Sequence, residues 1–151
     1  MNNLIELNNI SKNYSPSKKI EVLKNINFIF KPGKIYSLIG PSGSGKSTLL
    51  NLISLIDKPS SGFIKLDNIK INDEDNDQRD IIRSKKIGII YQDKNLLPDF
   101  TALENVLLPN LLISNNKPKS TELAKKLIKK FNLFSRLNHY PSELSGGENQ
   151  R

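Results

Sequence analysis

The sequence predicts an α/β fold organised around a phosphate-binding loop, and three adjacent stretches carry that prediction. "KIYSLIG" (34–40) is a continuous apolar run, as in a strand buried on both faces. It leads directly into "GPSGSGKST" (40–48), which fits G-x-x-x-x-G-K-[ST] at every fixed position. "LLNLISLI" (49–56) follows with helical length and content. Strand, glycine-rich turn and helix in that order are the context a phosphate loop requires.

The remaining elements follow along the chain. "LIELNNISKNY" (4–14) and "IEVLKNINFIF" (20–30) read as short strands, the second ended by Lys31-Pro32-Gly33. "SGFIKLDNIKIN" (61–72) reads as a strand pair. "DEDNDQRDIIRS" (73–84) begins acidic and turn-rich and continues as a short helix, and "KKIGIIYQ" (85–92) reads as another buried strand. After Gln92 the texture becomes helical. Thr101 is an N-cap for "ALENVLLPNLL" (102–112). "STELAKKLIKKFNLF" (120–134) starts with a capping box at Ser120 or Thr121 and carries an apolar face at helical spacing. The predicted order is a small antiparallel β part, an α/β nucleotide core, and a helical part from about residue 95.

Composition narrows the classes. At 151 residues the chain can bury one domain core. It has no cysteine, which excludes disulfides, thiolate metal sites and a cysteine nucleophile. The first residues show no basic segment followed by an apolar run, so they do not read as a signal peptide. "NVLLPNLLI" is far shorter than the ~20 residues of a membrane helix. The net charge of +8 could attract nucleic acid or anionic lipid. The basic residues are mostly scattered lysines, however, and Lys, Asn and Ile each occur 19 times, so a composition bias accounts for the charge. Lys125, Lys126, Lys129 and Lys130 read as the wet face of a helix. The acidic run Asp73 to Asp77 lacks Ca²⁺-loop spacing and reads as a solvated loop. His139, the sole histidine, reads as structural or surface rather than catalytic.

The loop chemistry is specific. Glycines at 40, 43 and 45 let the backbone between Pro41, Ser42 and Ser44 bend so that its N–H groups face phosphate oxygens. The helix beginning near Lys46 adds its N-terminal dipole, and Thr48 lies in its first turn. Lys46 reaches the β- and γ-phosphates, and the Ser47 hydroxyl can ligate Mg²⁺.

A second motif decides among phosphate-loop proteins. "LSGGENQR" (144–151) resembles the signature of ATP-binding-cassette (ABC) ATPases, and the resemblance covers the whole chain. It implies a P-loop NTPase ABC cassette with an N-terminal antiparallel β subdomain and a helical subdomain, residues 1–94 and 95–151. It places Tyr14 as the aromatic that stacks on adenine. It places Gln92 as the glutamine that senses Mg²⁺ and the attacking water. Ser145, Gly146 and Gly147 then contact the γ-phosphate of ATP held by a second protomer, which implies a head-to-tail homodimer with two ATP molecules. "LLPDFTALENV" (96–106) and "NHYPSELSGGE" (138–148) are similar to the lipoprotein-releasing branch of the family, with MacB-like and FtsE-like groups as near alternatives. That branch implies integral membrane permease partners, a peripheral position on the cytoplasmic face of the bacterial inner membrane, and no nucleic acid. A soluble ABC factor on ribosomes or DNA is the alternative from another class, favoured only by the basic charge.

The family pattern continues after the signature with an apolar strand ending in Asp-Glu and then a switch histidine. Neither occurs up to Arg151. Residues 1–151 are therefore expected to be a partial cassette lacking the C-terminal part of the core, one that binds ATP without hydrolysing it. Strands "KIYSLI" and "KKIGII" are expected to show open edges and bare apolar faces.

Overall fold

A computed structural model describes residues 4–14, 21–71, 76–92 and 95–151. These form two compact units, residues 1–89 and 90–151.

In the first unit, strands β1 (Ile5–Asn13), β2 (Glu21–Phe30), β3 (Ser61–Leu66) and β4 (Ile69–Lys70) form one antiparallel sheet in the order β2-β1-β3-β4. The alternation in β1 is broken in an informative way. Its two buried apolar residues, Leu7 and Ile10, lie three apart rather than two. The extra residue is absorbed at Asn9, which has φ 50, where the register with both neighbouring strands shifts. The bulge is held by side chains: Asn9 N–H donates to Asn27 Oδ1 at 2.9 Å, and Asn25 N–H to Ser11 Oγ at 2.9 Å. Opposite the bulge, Gly62 has φ +81, and a Cβ there would collide with the carbonyls of Asn8 and Asn9. β3 and β4 are joined by Asp67 and Asn68, both at positive φ, the conformation of a tight hairpin turn.

Helix α1 (Lys46–Ile53) lays Leu52 against Leu7, Ile10, Leu23 and Ile64, the main core cluster. Its C-terminus closes as a Schellman motif, with Ile56 N–H donating to Asn51 O at 2.9 Å and Leu55 N–H to Leu52 O at 3.1 Å. The left-handed position belongs to Leu55 (φ 60) rather than to a glycine, because Leu55 also fills a second cluster with Leu66 and Ile71. Helix α2 (Asn76–Lys86) stabilises that turn: Arg79 Nη2 donates to the Leu55 and Asp57 carbonyls at 3.1 and 2.8 Å, and Arg83 to Leu55 O at 3.2 Å. The acidic residues Asp73 to Asp75 lie outside the described residues, and Asp77 sits in the first turn of α2.

The two runs expected as buried strands, 34–40 and 87–91, carry no regular secondary structure. No described segment bonds alongside them, and a strand without a ladder leaves its amides and side chains to water. Ile35, Ile39 and Ile90 are 101%, 87% and 92% exposed, the bare apolar faces the sequence led us to expect. Tyr36 is anchored nonetheless. Its hydroxyl accepts from Lys31 N–H at 2.9 Å, and its ring meets Phe28 and Phe30 edge-on. The other discrepancy at 85–92 is that Lys85 and Lys86 finish α2 instead of opening a strand.

In the second unit, α3 (Ala102–Ser114) starts at Thr101 in a full capping box with Glu104, as expected. Asn105 clasps the segment before it, accepting from Leu97 N–H at 2.8 Å and donating to the carbonyls of Leu97, Phe100 and Thr101. α4 (Lys117–Lys130) begins three residues before the expected Ser120. Asn116 is its N-cap, accepting from Lys119 N–H at 3.1 Å, and Pro118 suits the first turn. Ser120 is instead fully buried between the helices, bonded to Asn110 Oδ1 at 2.6 Å and Ser114 Oγ at 2.9 Å. Two single 3₁₀ turns, Phe134–Arg136 and Pro141–Glu143, lead to α5 (Gly146–Gln150).

Replacing Gly62 by alanine should destabilise the first unit by about 2–4 kcal/mol, since it combines a positive φ with a backbone collision. Urea unfolding followed by circular dichroism would read the shift. An unchanged midpoint would mean that the β1 bulge yields freely.

Candidate nucleotide-binding site

The candidate phosphate loop runs from Gly40 into the first turn of α1. Ser44 N–H donates to Pro41 O at 3.3 Å, closing the turn that contains Ser42 and Gly43. Gly45 is the N-cap of α1 at φ 85, and a Cβ there would lie 3.0 Å from Leu23 Cδ2 and 3.1 Å from Val22 O. Only glycine permits both the left-handed turn and this approach to β2. Because the N-cap has no side chain, no side chain caps α1, and its first turn holds no acidic residue. The N–H groups of Lys46, Ser47 and Thr48 are thus the orphan donors of an eight-residue helix. Lys46 Nζ folds back over the loop and donates to Gly40 O at 2.9 Å and Pro41 O at 2.6 Å. Ser47 is exposed, with its hydroxyl in the first turn.

Tyr14, at the end of β1, reaches the same helix. Its hydroxyl lies 3.5 Å from Thr48 Oγ1 and 3.3 Å from Asp57 Oδ2. Lys12 Nζ sits 5.0 Å from the Tyr14 ring centroid and pairs with Asp57 Oδ1 at 2.7 Å. Burial pushes the Asp57 carboxyl up. The Lys12 ammonium, the Lys58 amide and the Tyr14 hydroxyl together outweigh that and hold it below its ordinary value. Asp57 is therefore a carboxylate at neutral pH.

The other sequence-predicted residues belong to the second unit. Gln92 lies in a bend and is exposed. Ser145 is the N-cap of α5; its Oγ accepts from Glu148 N–H at 3.3 Å, and its own N–H donates to Glu148 Oε2 at 2.8 Å. A Cβ on Gly146 or Gly147 would meet nothing within 4 Å, so this face of the turn is open. Glu148 is fixed from the other side by Arg136 Nε at 2.9 Å. The Arg136 bond, then those of the Ser145 amide and hydroxyl, lower the Glu148 carboxyl to about 2. His139 has a structural place: its carbonyl accepts from Ala102 N–H at 2.8 Å, and its Nε2 lies 3.5 Å from Arg136 Nη1.

The family model for ABC transporters matches residues 23–151. The chain belongs to the ABC transporter family. This ABC chain is 40% identical over 149 residues to the lipoprotein-releasing system ATP-binding protein LolD of Saccharophagus degradans, covering 98% of the chain and 65% of the relative. It is 44% identical over 154 residues to LolD of Wigglesworthia glossinidia brevipalpis, covering all of the chain and 67% of the relative. An uncharacterised ABC transporter ATP-binding protein of Methanocaldococcus jannaschii is 44% identical over 153 residues, with 98% and 65% covered. A dimeric, post-hydrolysis structure of that cassette bound to ADP and Pi superposes with a TM-score of 0.85 at 42% identity, covering 96% of this chain and 65% of that one. The ABC chain thus spans about 65% of the length of several of its curated relatives.

Sequence reasoning missed Lys12, Asp57, Arg136 and Glu148. Glu148 had a signal, because Ser145-Gly-Gly-Glu148 has capping-box spacing. Lys12 and Asp57 are 45 residues apart, and no local pattern links them.

Because Glu148 titrates near 2 rather than 4.5, its contribution to the α5 turn is complete above pH 4.5 and is lost as pH falls from there toward 2. An NMR titration of the side-chain carboxyl should show the low value. A Glu148→Gln variant should lose that acid-dependent step in α5 amide exchange. A Glu148 titrating near 4.5 would show that the Arg136 contact does not hold in solution.

Proposed function

We propose that this chain is the ATP-binding part of an ABC transport ATPase, of the type that drives lipoprotein release from the bacterial inner membrane. The observation that carries the nucleotide reading is the glycine-capped, otherwise uncapped start of α1 with Lys46 folded over it. Such an end is a ready anion site, combining unpaired N–H donors with the positive pole of the helix.

In this reading Gly40, Pro41, Ser42, Gly43, Ser44 and Gly45 wrap the phosphates, and Lys46, Ser47 and Thr48 supply main-chain donors. Lys46 exchanges its carbonyl partners for β- and γ-phosphate oxygens. Tyr14, a residue 54% exposed, offers its ring to the adenine. Ser47 offers a hydroxyl oxygen suited to a hard cation such as Mg²⁺, and the family resemblance gives the Gln92 amide a Mg²⁺-sensing role of its own. When bound, that ion neutralises charge on the phosphates. Ser145, Gly146 and Gly147 bind the γ-phosphate of a second protomer's ATP, in a head-to-tail dimer. The capping box holds Ser145 Oγ against Glu148 N–H at 3.3 Å, which fixes the residue at the start of α5.

The LolD relatives favour lipoprotein release over the other branches. Among the described residues no helix is long and apolar enough to cross a membrane, so a peripheral position beside integral membrane permeases suits the reading.

Lys46→Ala should weaken ATP binding about 30-fold or more, since it removes charge-assisted bonds to phosphate, with the fold intact by circular dichroism. Unchanged affinity would refute the phosphate-loop assignment. The full protein isolated from its own membranes should carry integral membrane subunits. Salt-sensitive capture on RNA or DNA without them would overturn the transport reading.

A further inference from the structure

Tyr14 is 54% exposed, yet it is held by Asp57, Lys12 and Thr48. Asp57 is the hub. Its Oδ1 accepts from Lys12 Nζ and from its neighbour Lys58 N–H, both at 2.7 Å, and its Oδ2 accepts from the Tyr14 hydroxyl at 3.3 Å. Its main-chain carbonyl is gripped by Arg79 at 2.8 Å, so the hub itself is fixed to the exit of α1. Lys12 is tied again through Lys58 O at 2.8 Å, and its ammonium lies against the ring at 5.0 Å from the centroid. An exposed tyrosine with no such ties would sample several rotamers, and a base binding to it would have to order it first.

We propose that Asp57, acting with Lys12, is a positioning residue for base recognition: it pre-sets the Tyr14 ring beside the phosphate loop for a nucleotide base. This rests on the nucleotide reading of the loop and extends it to residues that touch no phosphate. Lys12 covers one side of the ring, and the exposed remainder is the surface offered to the base. Asp57 acts through Tyr14 alone, so it should set affinity for the base-bearing part of the ligand and leave phosphate binding untouched.

The test compares ATP with inorganic tripolyphosphate, which shares the phosphates and lacks the base. Equilibrium binding is measured on the full chain, on Asp57→Asn, on Tyr14→Ala and on the double variant. Asp57→Asn should weaken ATP about fivefold and change tripolyphosphate by less than about twofold. Tyr14→Ala should weaken ATP at least as much, and the double variant should be no weaker than Tyr14→Ala. Unchanged ATP affinity in Asp57→Asn would overturn the proposal. So would an equal loss for both ligands, the mark of a merely structural residue, or additive losses in the double variant. If Asp57→Asn does not fold, Lys12→Met gives the same reading with the same outcomes. A wild-type chain that binds neither ligand defeats the nucleotide reading itself, and this inference with it. One that binds both equally defeats this inference alone.

Discussion

Helix α1 is fixed at both ends and along its length, and the geometry of the first unit follows from that. Leu52 is wholly buried in the cluster of Leu7, Ile10, Leu23 and Ile64, so the helix cannot rotate without opening the core. At its start, Gly45 presses against Val22 and Leu23, a contact that any larger residue would disturb. At its end, the Leu55 turn is gripped by two guanidinium groups from α2. Arg79 is nearly buried there, and burial lowers its pKa, yet it remains charged because that value starts so high. The packing that makes the core therefore also decides where the orphan N–H groups point.

The second unit uses one local device three times. Thr101, Tyr140 and Ser145 each donate their backbone N–H to the carboxylate of the glutamate three residues on, at 2.8, 2.7 and 2.8 Å. Each instance starts a helical turn, and each satisfies a donor that the turn would otherwise leave free. In the third, Arg136 takes the second carboxylate oxygen, which ties α5 to the Phe134–Arg136 turn. The backbone around Ser145, Gly146 and Gly147 is thus ordered from outside the glycines, which contribute openness and no rigidity of their own.

What the sequence made legible is what local chemistry decides. The glycine turn into α1, the Thr101 cap and the strand pair around Asp67-Asn68 each rest on a few neighbouring residues and are found where expected. Features that depend on partners distant in sequence were not legible. The bulge at Asn9 needs Asn27, Ser11 and Gly62 together, and only the three-residue spacing of Leu7 and Ile10 hints at it. The runs 34–40 and 87–91 are apolar enough for strands, but a strand is a property of a ladder and not of a segment. The start of α4 was misplaced because Ser120 looks like a cap in sequence. In space it is a buried link between two helices, while Asn116 does the capping. Long-range pairs such as Lys12–Asp57 are invisible for the same reason: their meaning is set by packing.

The position of Lys46 bears on how such a loop can be both ordered and receptive. Its ammonium bonds to two carbonyls of its own loop, so the chain from Gly40 to Lys46 is closed on itself. Those acceptors are neutral, whereas phosphate oxygens are charged, so the ammonium gains Coulomb attraction by changing partners. In the proposed function, phosphate binding is an exchange of weaker partners for stronger ones. The orphan amides of α1 gain partners in the same event, because no side chain among the described residues caps them. A side-chain cap at residue 45 would have stabilised the helix and occupied the site, so the glycine there leaves α1 less stable in order to keep its donors free.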